Sequence, residues 1–421
     1  MTAAPIARLW AWSRPATQPD DPRRARVRGR AVRLLTRRMA DRAGVRITLH
    51  DGSGMGPDCG DAPHLLVHDE RIFDRIGIDF KIGVGEGFVA GEWGPGPGTD
   101  LADLLARFAA NLGDLVPPVL TRFRRLVEPR QPERHRNDRA GARANISHHY
   151  DLSNDAFAVF LDETMTYSAA WFAPEDPAGP AGLATAQRRK VAGILDLANV
   201  GAGTEVLEIG SGWGQLAIQA AERGALVHTI TLSHEQQSLA RERIAAAGFA
   251  DVVDVELRDY RDIAGRYDAV VSVEMIEAVG YEFWPRYFRS LADAVRPDGQ
   301  VAIQAITMAH SRMLDSRHAY GWIHKHVFPG GLIPSYAVIA HHASSAGLRV
   351  TARRSLRDDY ARTLREWRKA LLDNPGAVRA AGLDDRFLKV WEFYLAYSEA
   401  GFRSGHLDVL QLRLTPRTAD G

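Results

Sequence analysis

A glycine-rich loop preceded by a carboxylate is the strongest chemical signal in the sequence. The segment 206–214 reads VLEIGSGWG, so Gly210, Gly212 and Gly214 stand at alternate positions directly after an apolar strand candidate. Glycines at such a turn let the backbone approach a ligand closely. Glu208 would repel a pyrophosphate and attract a cation. A ligand with an ammonium, a sulfonium and no phosphate meets both conditions, so the loop, with Trp213 inside it, predicts binding of S-adenosyl-L-methionine.

Two other interpretations of this loop stay open at this point. The glycines could serve only the close packing of a helix on a strand. They could also belong to a dinucleotide site, which usually has G-x-G-x-x-G and an acidic residue at the end of the second strand. The second strand candidate here ends in Thr231-Leu232-Ser233, which disfavours a nicotinamide dinucleotide. Thr231 and Gln236 are instead candidates to bond the methionine or ribose portion of the cofactor.

Alternating strands and helices must position the loop. Strand candidates are 204–209, 225–232, 252–257, 267–273 and 300–306, and helix candidates are 213–223, 235–247 and 284–295. This alternation predicts an α/β fold with a parallel sheet and helices on both faces. Later strand candidates at 349–353 and 409–414 flank long helical stretches (360–372 and 386–397). These stretches predict a helical cap on the sheet.

A smaller α+β unit is predicted before this domain. It includes short strands at 46–49 and 65–68, a helical turn over 72–75 and a helix within 100–126. The stretch 83–93 is interpreted as too rich in glycine for a long helix. A polar, arginine-rich segment at 128–144 predicts an exposed linker. The expected divisions are a basic flexible arm (1–28), the N-terminal domain (29–126), the linker (127–146) and the main domain (147–421).

The charge distribution is uneven along the chain. The formal net charge is +1, yet residues 1–50 hold twelve arginines against three aspartates. A dense arginine segment attracts polyanions, either nucleic acid or an anionic lipid surface. A solvated basic tail without a partner is the third interpretation.

Composition excludes several classes of protein. The chain has 421 residues, of which 45% are hydrophobic and 25% charged, as in folded globular domains. The single cysteine, Cys59, excludes an intrachain disulfide and a cysteine-rich zinc site. Arg8 and Arg14 interrupt what would be the apolar core of a secretory signal. These features predict a cytoplasmic protein.

Several sequence blocks resemble the cyclopropane-fatty-acyl-phospholipid synthase family of class I methyltransferases. The resemblance covers most of 145–421 and, more faintly, about 65–125. Besides the glycine loop, the blocks are HHYDLSN (148–154), LDETMTYS (161–168), TLSHEQ (231–236), DYRD (259–262), VSVEMIEAVG (271–280) and WIHKHVFPGG (322–331). The resemblance implies a seven-stranded, mostly parallel sheet with a helical cap, and a smaller N-terminal α+β lipid-associated domain.

The resemblance also implies methyl transfer from S-adenosylmethionine to the cis double bond of a phospholipid acyl chain. It implies that the arginine segment binds the anionic headgroups at the inner face of a membrane. The implied cofactor residues, beyond those already named as candidates, are Tyr150, Tyr167, Ser168, Leu232, Asp259 and Tyr260. A bound bicarbonate is the implied base, with Glu277, Tyr360, the position of Gln304 and the backbone at Ile306 around it.

The chemistry of such a reaction makes its own demands. An alkene that attacks a sulfonium methyl leaves a carbocation, so the site must exclude water and stabilise positive charge. Aromatic faces can stabilise a cation. The candidates are Tyr167, Trp171, Tyr281, Trp322 and Tyr360, and core packing is the alternative role for each.

Three departures from the family pattern surround the proton-removing step. Ala278 stands where a histidine usually follows the site glutamate, Gln304 stands at the usual histidine of the bicarbonate pocket, and Ala169 replaces a cysteine. Glutamine can hydrogen-bond an anion but does not titrate. With Glu274 and Glu277, this combination resembles the branch that makes methylene-branched chains of the 10-methylene-stearoyl type, precursors of tuberculostearic acid. A cyclopropane product is the alternative.

Two further hypotheses remain open. The basic segment would suit a nucleic-acid methyltransferase, although the sequence lacks an Asn-Pro-Pro-Tyr motif and Cys59 lies outside the main domain. A non-enzymatic lipid-binding scaffold is disfavoured by the intact Glu208 loop. The expected partners are a phospholipid, a membrane surface, a second copy of the chain and a separate reductase, with no nucleic acid.

Overall fold

The computed structural model describes residues 22–58, 60–115, 131–142, 145, 154–317 and 319–417. The chain forms two compact units. The first contains residues 1–131, 319–327 and 371–406, and the second contains 132–318, 328–370 and 407–421. The first unit therefore recruits two later segments that the predicted domain boundaries assigned to the main domain.

Eleven strands lie in the described residues. They are β1 (Arg46–Thr48), β2 (Gly54–Met55), β3 (His64–Val67), β4 (Trp93–Pro95), β5 (Glu205–Ile209), β6 (Leu226–Thr231), β7 (Val253–Leu257), β8 (Tyr267–Val273), β9 (Val295–Met308), β10 (Leu348–Ser355) and β11 (Leu407–Pro416). Each strand candidate of the sequence corresponds to one of these, with ends shifted by a few residues.

Sixteen α-helices have described bounds. They are α1 (Pro22–Ala43), α2 (Arg71–Ile78), α3 (Phe80–Val89), α4 (Leu101–Leu115), α5 (Asn154–Ala158), α6 (Pro180–Leu197), α7 (Gln215–Glu222), α8 (His234–Ala246), α9 (Ile276–Val279), α10 (Trp284–Ala294), α11 (His310–Ser316), α12 (Trp322–His326), α13 (Tyr336–Ser345), α14 (Arg357–Asp373), α15 (Pro375–Ala380) and α16 (Asp385–Arg403).

The second unit is built on a seven-stranded sheet in the order β10-β11-β9-β8-β5-β6-β7. Strands β9, β8, β5, β6 and β7 pair in parallel, and β11 pairs antiparallel with β9 and β10. The predicted α/β fold with a mostly parallel sheet is confirmed. Because the parallel strands run the same way, the carboxyl ends of β5, β6 and β8 meet at one edge.

Apolar side chains cover both faces of this sheet. Along β5, Val206 packs into one buried cluster and Leu207 into the other. Successive side chains of a strand point to opposite faces, so a strand covered on both sides is apolar throughout. Helices α6, α7 and α8 contribute to the cluster of Val206, and α10 and α13 to that of Leu207.

The first unit contains a four-stranded sheet, β2-β1-β3-β4, with helices around it. The stretch 83–93, predicted to be too rich in glycine for a long helix, contains part of the ten-residue α3, which runs through Gly83, Gly85 and Gly87 and ends at Val89. A Cβ at Gly85 would lie 2.5 Å from the Trp322 ring, and one at Gly87 would lie 2.2 Å from Ile72 Cδ1. Close packing requires the glycines here and outweighs their low helix propensity.

Two predicted segments differ from expectation where they are described. Helix α1 begins at Pro22, inside the predicted flexible arm. The predicted linker is partly buried in the second unit, because Asn137 is 6% exposed and donates its Nδ2 to Gly330 O at 2.9 Å. Arg139 pairs with Asp262 at 2.6 Å. Arg139 remains 63% exposed, so the described part of the segment is exposed in places, as its polar composition predicted, and held at Asn137.

Candidate active site

A pocket lies at the carboxyl edge of the sheet. It is formed by the loops that follow β5, β6 and β8 and by residues 165–168. Its lining includes Met165, Thr166, Tyr167, Ser168, Lys190, Glu208, Gly210, Ser211, Gly212, Trp213, Thr231, Leu232, Gln236, Arg258, Tyr260, Glu274 and Met275. Ten of the residues predicted to bind the cofactor are in this set. Open α/β sheets place ligands at this edge.

The glycine loop has the conformation that its composition predicts. Gly210 and Gly214 have φ values of 99° and 88°, in the region that side-chain-bearing residues rarely adopt. A Cβ on Gly210 would lie 2.7 Å from Met275 Cγ. Gly214 is the N-cap of α7 and lies outside the described lining. The loop is therefore held close to the segment that follows β8.

Glu208 is the buried acid of this loop. It is 4% exposed, and the Thr229 hydroxyl donates to its Oε2 at 2.6 Å. Burial raises the pKa of Glu208 to about 8, while the bond from Thr229 and the charge of Lys190 oppose the rise. A ligand group that donates to Glu208 or carries positive charge would favour its ionised form. This is the property the sequence predicted for the carboxylate.

A buried lysine that the sequence reasoning missed lines the same pocket as Glu208 and Glu274. Lys190 in α6 is 1% exposed, and its Nζ donates to Ser168 Oγ at 2.6 Å. Burial lowers the pKa of Lys190 to about 8, against the charges of Glu274, Asp162 and Glu208. An apolar helix face interrupted by a lysine was the available signal.

Of the other predicted cofactor residues, some line the pocket and others do not. Thr231 Oγ1 donates to Gln236 Oε1 at 2.9 Å, so these two pocket-lining side chains orient each other. Trp213 donates Nε1 to Asn154 Oδ1 at 2.7 Å. Asp259 holds Arg261 through both carboxylate oxygens and is not part of the described lining. Tyr150 lies outside the described residues.

Glu274, directly after β8, is the centre of a second group of contacts. Its Oε1 accepts from Ala169 N at 2.9 Å and from Gln304 Nε2 at 2.8 Å, and its Oε2 accepts from Tyr360 Oη at 2.8 Å. Its φ of 50° is in the left-handed region, which costs a residue with a side chain on the order of 1–3 kcal/mol. Glu274 lines the pocket, whereas Ala169, Gln304 and Tyr360 are buried behind it.

Glu277 lies one turn further and has a different environment. Its Oε1 accepts from Ile306 N at 2.5 Å, and its Oε2 is buried with no hydrogen-bond partner among the described residues. Burial, followed by the charge of Glu274, raises the pKa of Glu277 to about 8. Glu277 is not in the described lining of the pocket.

The four predicted catalytic residues therefore form two separate groups. Tyr360 and Gln304 contact Glu274, while Ile306 contacts Glu277. Gln304 is satisfied further because its Oε1 accepts from Gln411 Nε2 at 3.0 Å. Gln304 was predicted to hold a bound anion, and in the structure its amide binds the Glu274 carboxylate. The sequence showed both glutamates but not which one the tyrosine and glutamine would face.

The aromatic candidates for stabilising a cation lie in different parts of the structure. Tyr167 lines the pocket and packs on Trp367 with ring centroids 5.2 Å apart. Trp171 is covered by the Arg354 guanidinium at 4.0 Å, and Tyr281 is 42% exposed; neither is in the described lining. Trp322 belongs to the first unit, where its ring packs against Phe393 at 4.7 Å.

Comparisons with known proteins identify the family. The model of the family described as mycolic acid cyclopropane synthetase matches residues 137–412. The chain belongs to this family. It is 49% identical to the tuberculostearic acid methyltransferase UfaA1 of Mycobacterium tuberculosis, over 96% of this chain and 95% of that protein. It is 38% identical to a probable fatty acid methyltransferase of Pseudomonas putida, over 69% of this chain and 73% of the other.

Solved structures of the family agree with the predicted fold. The structure of the mycolic acid cyclopropane synthase CmaA1, complexed with SAH and CTAB, matches with a TM-score of 0.60 and 29% identity. The match covers 68% of this chain and 98% of that one. The second unit thus has the class I methyltransferase fold, and the chain is an S-adenosylmethionine-dependent C-methyltransferase of the mycolic acid cyclopropane synthetase family.

Proposed function

We propose that this enzyme methylates the cis double bond of an oleoyl-type phospholipid acyl chain and leaves a methylene branch of the 10-methylene-stearoyl type. The observation that carries the proposal is a pocket-lining carboxylate, Glu274, held by three donors beside the glycine loop. A carboxylate at this position can accept a proton, which suits a reaction that ends in proton loss. The near full-length similarity to a tuberculostearic acid methyltransferase supports this product.

The pocket fits S-adenosylmethionine. The cofactor supplies an electrophilic methyl group on a positively charged sulfur. Glu208 offers a buried carboxylate to a cationic or hydroxyl-bearing ligand, and the glycine at 210 lets the loop lie close to Met275 in the same lining. Tyr167 presents an aromatic ring in the same lining, which can stabilise positive charge on a substrate.

The reaction balances without an external oxidant or reductant. The π electrons of the alkene form the new carbon–carbon bond as the carbon–sulfur bond breaks, and the cation remains on the acyl chain. A hydride shift moves the cation to the methyl-bearing carbon. Loss of a proton from that methyl group then forms the exocyclic double bond. Loss of the proton before the shift closes a cyclopropane ring, so the placement and timing of the base decide the product.

The residues present do not offer bicarbonate a free set of ligands. The Tyr360 hydroxyl, the Gln304 amide and the Ala169 N–H all donate to Glu274. Glu277 and the Ile306 N–H bond each other. The site therefore does not fit bicarbonate.

A cyclopropane product is the second candidate, because cyclopropane mycolic acid synthase 1 of Mycobacterium tuberculosis is 32% identical over 64% of this chain. One experiment separates the two. The purified protein is incubated with S-adenosylmethionine and dioleoyl phospholipid, and the acyl chains are examined by mass spectrometry and ozonolysis. We expect a gain of one CH2 group and cleavage of the product to a ketone. An ozone-resistant chain of the same mass would indicate the ring, and an unchanged mass would contradict both.

We also propose that the basic N-terminal segment binds an anionic membrane surface. No helix in the described ranges is long and apolar enough to cross a bilayer. In α1, Leu34 and Leu35 are 56% and 43% exposed among arginines, a pattern that suits binding at an interface. Sedimentation with anionic vesicles should fall as salt rises. Equal binding to neutral vesicles would contradict the proposal, and duplex DNA serves as the competing polyanion.

The remaining proposed partners follow from the resemblance and the product. A second copy of the chain would bring two basic segments to one bilayer, and sedimentation velocity measures this directly. A methylene-branched chain needs a separate reductase to become a methyl-branched one. The expected location is the cytoplasmic face of the membrane that holds the substrate.

A further inference from the structure

Glu274 has the contacts of an anion bound in a prepared site. Its two oxygens accept from three donors of three different segments, namely Ala169 N, Gln304 Nε2 and Tyr360 Oη, at 2.8–2.9 Å. Two of these donors, Gln304 and Tyr360, are residues that the resemblance assigns to the holding of a bound base. The carboxylate of Glu274 thus stands where a separate anion would need to bind.

The backbone supports this placement. Among the described residues that are not glycine, only Met165, Asn199 and Glu274 have positive φ values. Glu274 and Met165 both line the pocket. The Glu274 N–H donates to Gln304 O at 2.7 Å, which holds the strained residue against β9. Strain of this kind persists where the surroundings enforce it, and it commonly marks a functional position.

The two buried glutamates differ in the number of donors that each carboxylate accepts from. Burial raises the pKa of Glu274 above its ordinary value, and the bonds from Ala169, Gln304 and Tyr360 together with the charge of Lys190 offset only part of that rise. Glu277 has a single donor, and the charge of Glu274 raises its pKa further. The three donors stabilise a carboxylate at Glu274 more than the single donor does at Glu277, and this difference in geometry favours Glu274 as the base. The charged and titratable groups that face Glu274 are Lys190, Glu277 and the Tyr360 hydroxyl.

We infer that Glu274 is the general base of this enzyme, a carboxylate of the chain that takes the place of a bound bicarbonate. In the last step, a C–H bond of the transferred methyl group breaks, its electron pair becomes the new π bond, and the proton passes to a Glu274 oxygen. The inference rests on the proposed function, and it identifies a catalytic residue within that site. Tyr360, Gln304 and Ala169 then hold the base in position.

The first test compares two glutamine variants with the wild-type protein. Glu274→Gln keeps the size of the side chain and removes the base, so turnover should fall by about 10²- to 10⁴-fold. Binding of S-adenosylmethionine, measured by calorimetry, should remain within about threefold, which also shows that the variant is folded. Glu205→Gln is the matched control, because Glu205 lies at the opposite end of β5 and is 48% exposed.

Three outcomes of this comparison would overturn the inference. These are Glu274→Gln turning over at nearly the wild-type rate, Glu277→Gln losing more activity than Glu274→Gln, and a wild-type rate that falls when bicarbonate and carbon dioxide are removed from the buffer. A wild-type protein that methylates no unsaturated lipid would instead contradict the proposed function. The two failures are therefore distinguishable.

A second variant tests the donor set itself. Glu274→Gly suits the positive φ of this position and leaves the three donors without their carboxylate. We expect an inactive variant whose turnover returns when bicarbonate or formate is added. The same anions should leave the rate of the wild-type protein unchanged. Rescue by neither anion would contradict the assignment of these donors as the cradle of the base.

Discussion

Replacement of Glu208 by glutamine should change cofactor binding and protein stability in opposite directions. Burial raises the pKa of Glu208 from 4.5 to about 8. The folded protein therefore holds this proton up to about pH 8, while the unfolded chain releases it near the ordinary pKa. Because the folded state binds more protons, the free energy of unfolding falls as pH rises through this window.

The magnitude follows from the size of the shift. Each pH unit between the two pKa values lowers the free energy of unfolding by about 1.4 kcal/mol, so at pH 7 the ionisation of Glu208 in the unfolded chain has lowered it by about 3 kcal/mol. Glu208→Gln removes this cost. The unliganded variant should gain about 2–3 kcal/mol relative to the wild-type protein between pH 5 and pH 7. For a unit of this size, that corresponds to a melting temperature difference that grows by about 5–10 °C.

The same variant should bind S-adenosylmethionine more weakly. A hydrogen bond to a charged group contributes about 1.5–3 kcal/mol, so the dissociation constant should rise about 10- to 100-fold. Differential scanning fluorimetry across pH and calorimetric titration measure the two effects. Glu205→Gln on the same strand should show neither effect, because Glu205 is half exposed and pairs with Arg296. A stability difference that does not grow with pH would contradict the raised pKa of Glu208. An unchanged affinity would contradict its contact with the cofactor.

Three other predictions follow from the pocket. In the wild-type protein, affinity for S-adenosylmethionine should weaken as pH falls below about 8, because Glu208 must lose its proton to bind the cofactor. Calorimetry in buffers of different ionisation heat should show that binding releases a proton. An affinity that does not change between pH 6 and 9 would contradict this assignment. Lys190→Met should move the acidic limb of the kcat/KM profile to higher pH, because the positive charge lowers the pKa values of Glu208 and Glu274; an unmoved limb would exclude that coupling. Gly210→Ala should reduce cofactor affinity by at least tenfold, about 1.4 kcal/mol, because the added Cβ would lie 2.7 Å from Met275 Cγ. Gly201→Ala is the control and should bind the cofactor normally, because no atom lies within 4 Å of its added Cβ.

The sequence predicts the parts of this site that depend on local order along the chain. The strand before the glycine loop, the loop itself and Glu208 are consecutive, so their arrangement follows from the rule that parallel sheets bind ligands at their carboxyl edge. The periodicity of β5 to β8 and of their helices was strong enough to predict the α/β fold. Glu208, Gly210 and Thr231 therefore lie in the pocket as expected.

The remainder depends on contacts between distant segments. The hydroxyl of Tyr360 reaches Glu274 from 86 residues away, and the sequence alone did not indicate whether Glu274 or Glu277 would receive it. Lys190 was missed because its burial depends on which face of α6 meets the sheet. The helix through Gly85 depends on Trp322, which packs where a Cβ would otherwise stand. Packing of this kind outweighs local propensity and leaves little trace in a single sequence.

Labelling of the cofactor methyl group shows directly where the transferred carbon ends. The protein is incubated with S-adenosylmethionine that carries ¹³C in its methyl group and with dioleoyl phospholipid, and the extracted lipid is examined by NMR. We expect the label to appear as a vinylic CH2 carbon on the acyl chain. A distearoyl phospholipid should acquire no label. Label in a ring CH2 would contradict the proposed product, and label absent from every unsaturated lipid would contradict the assignment of the substrate.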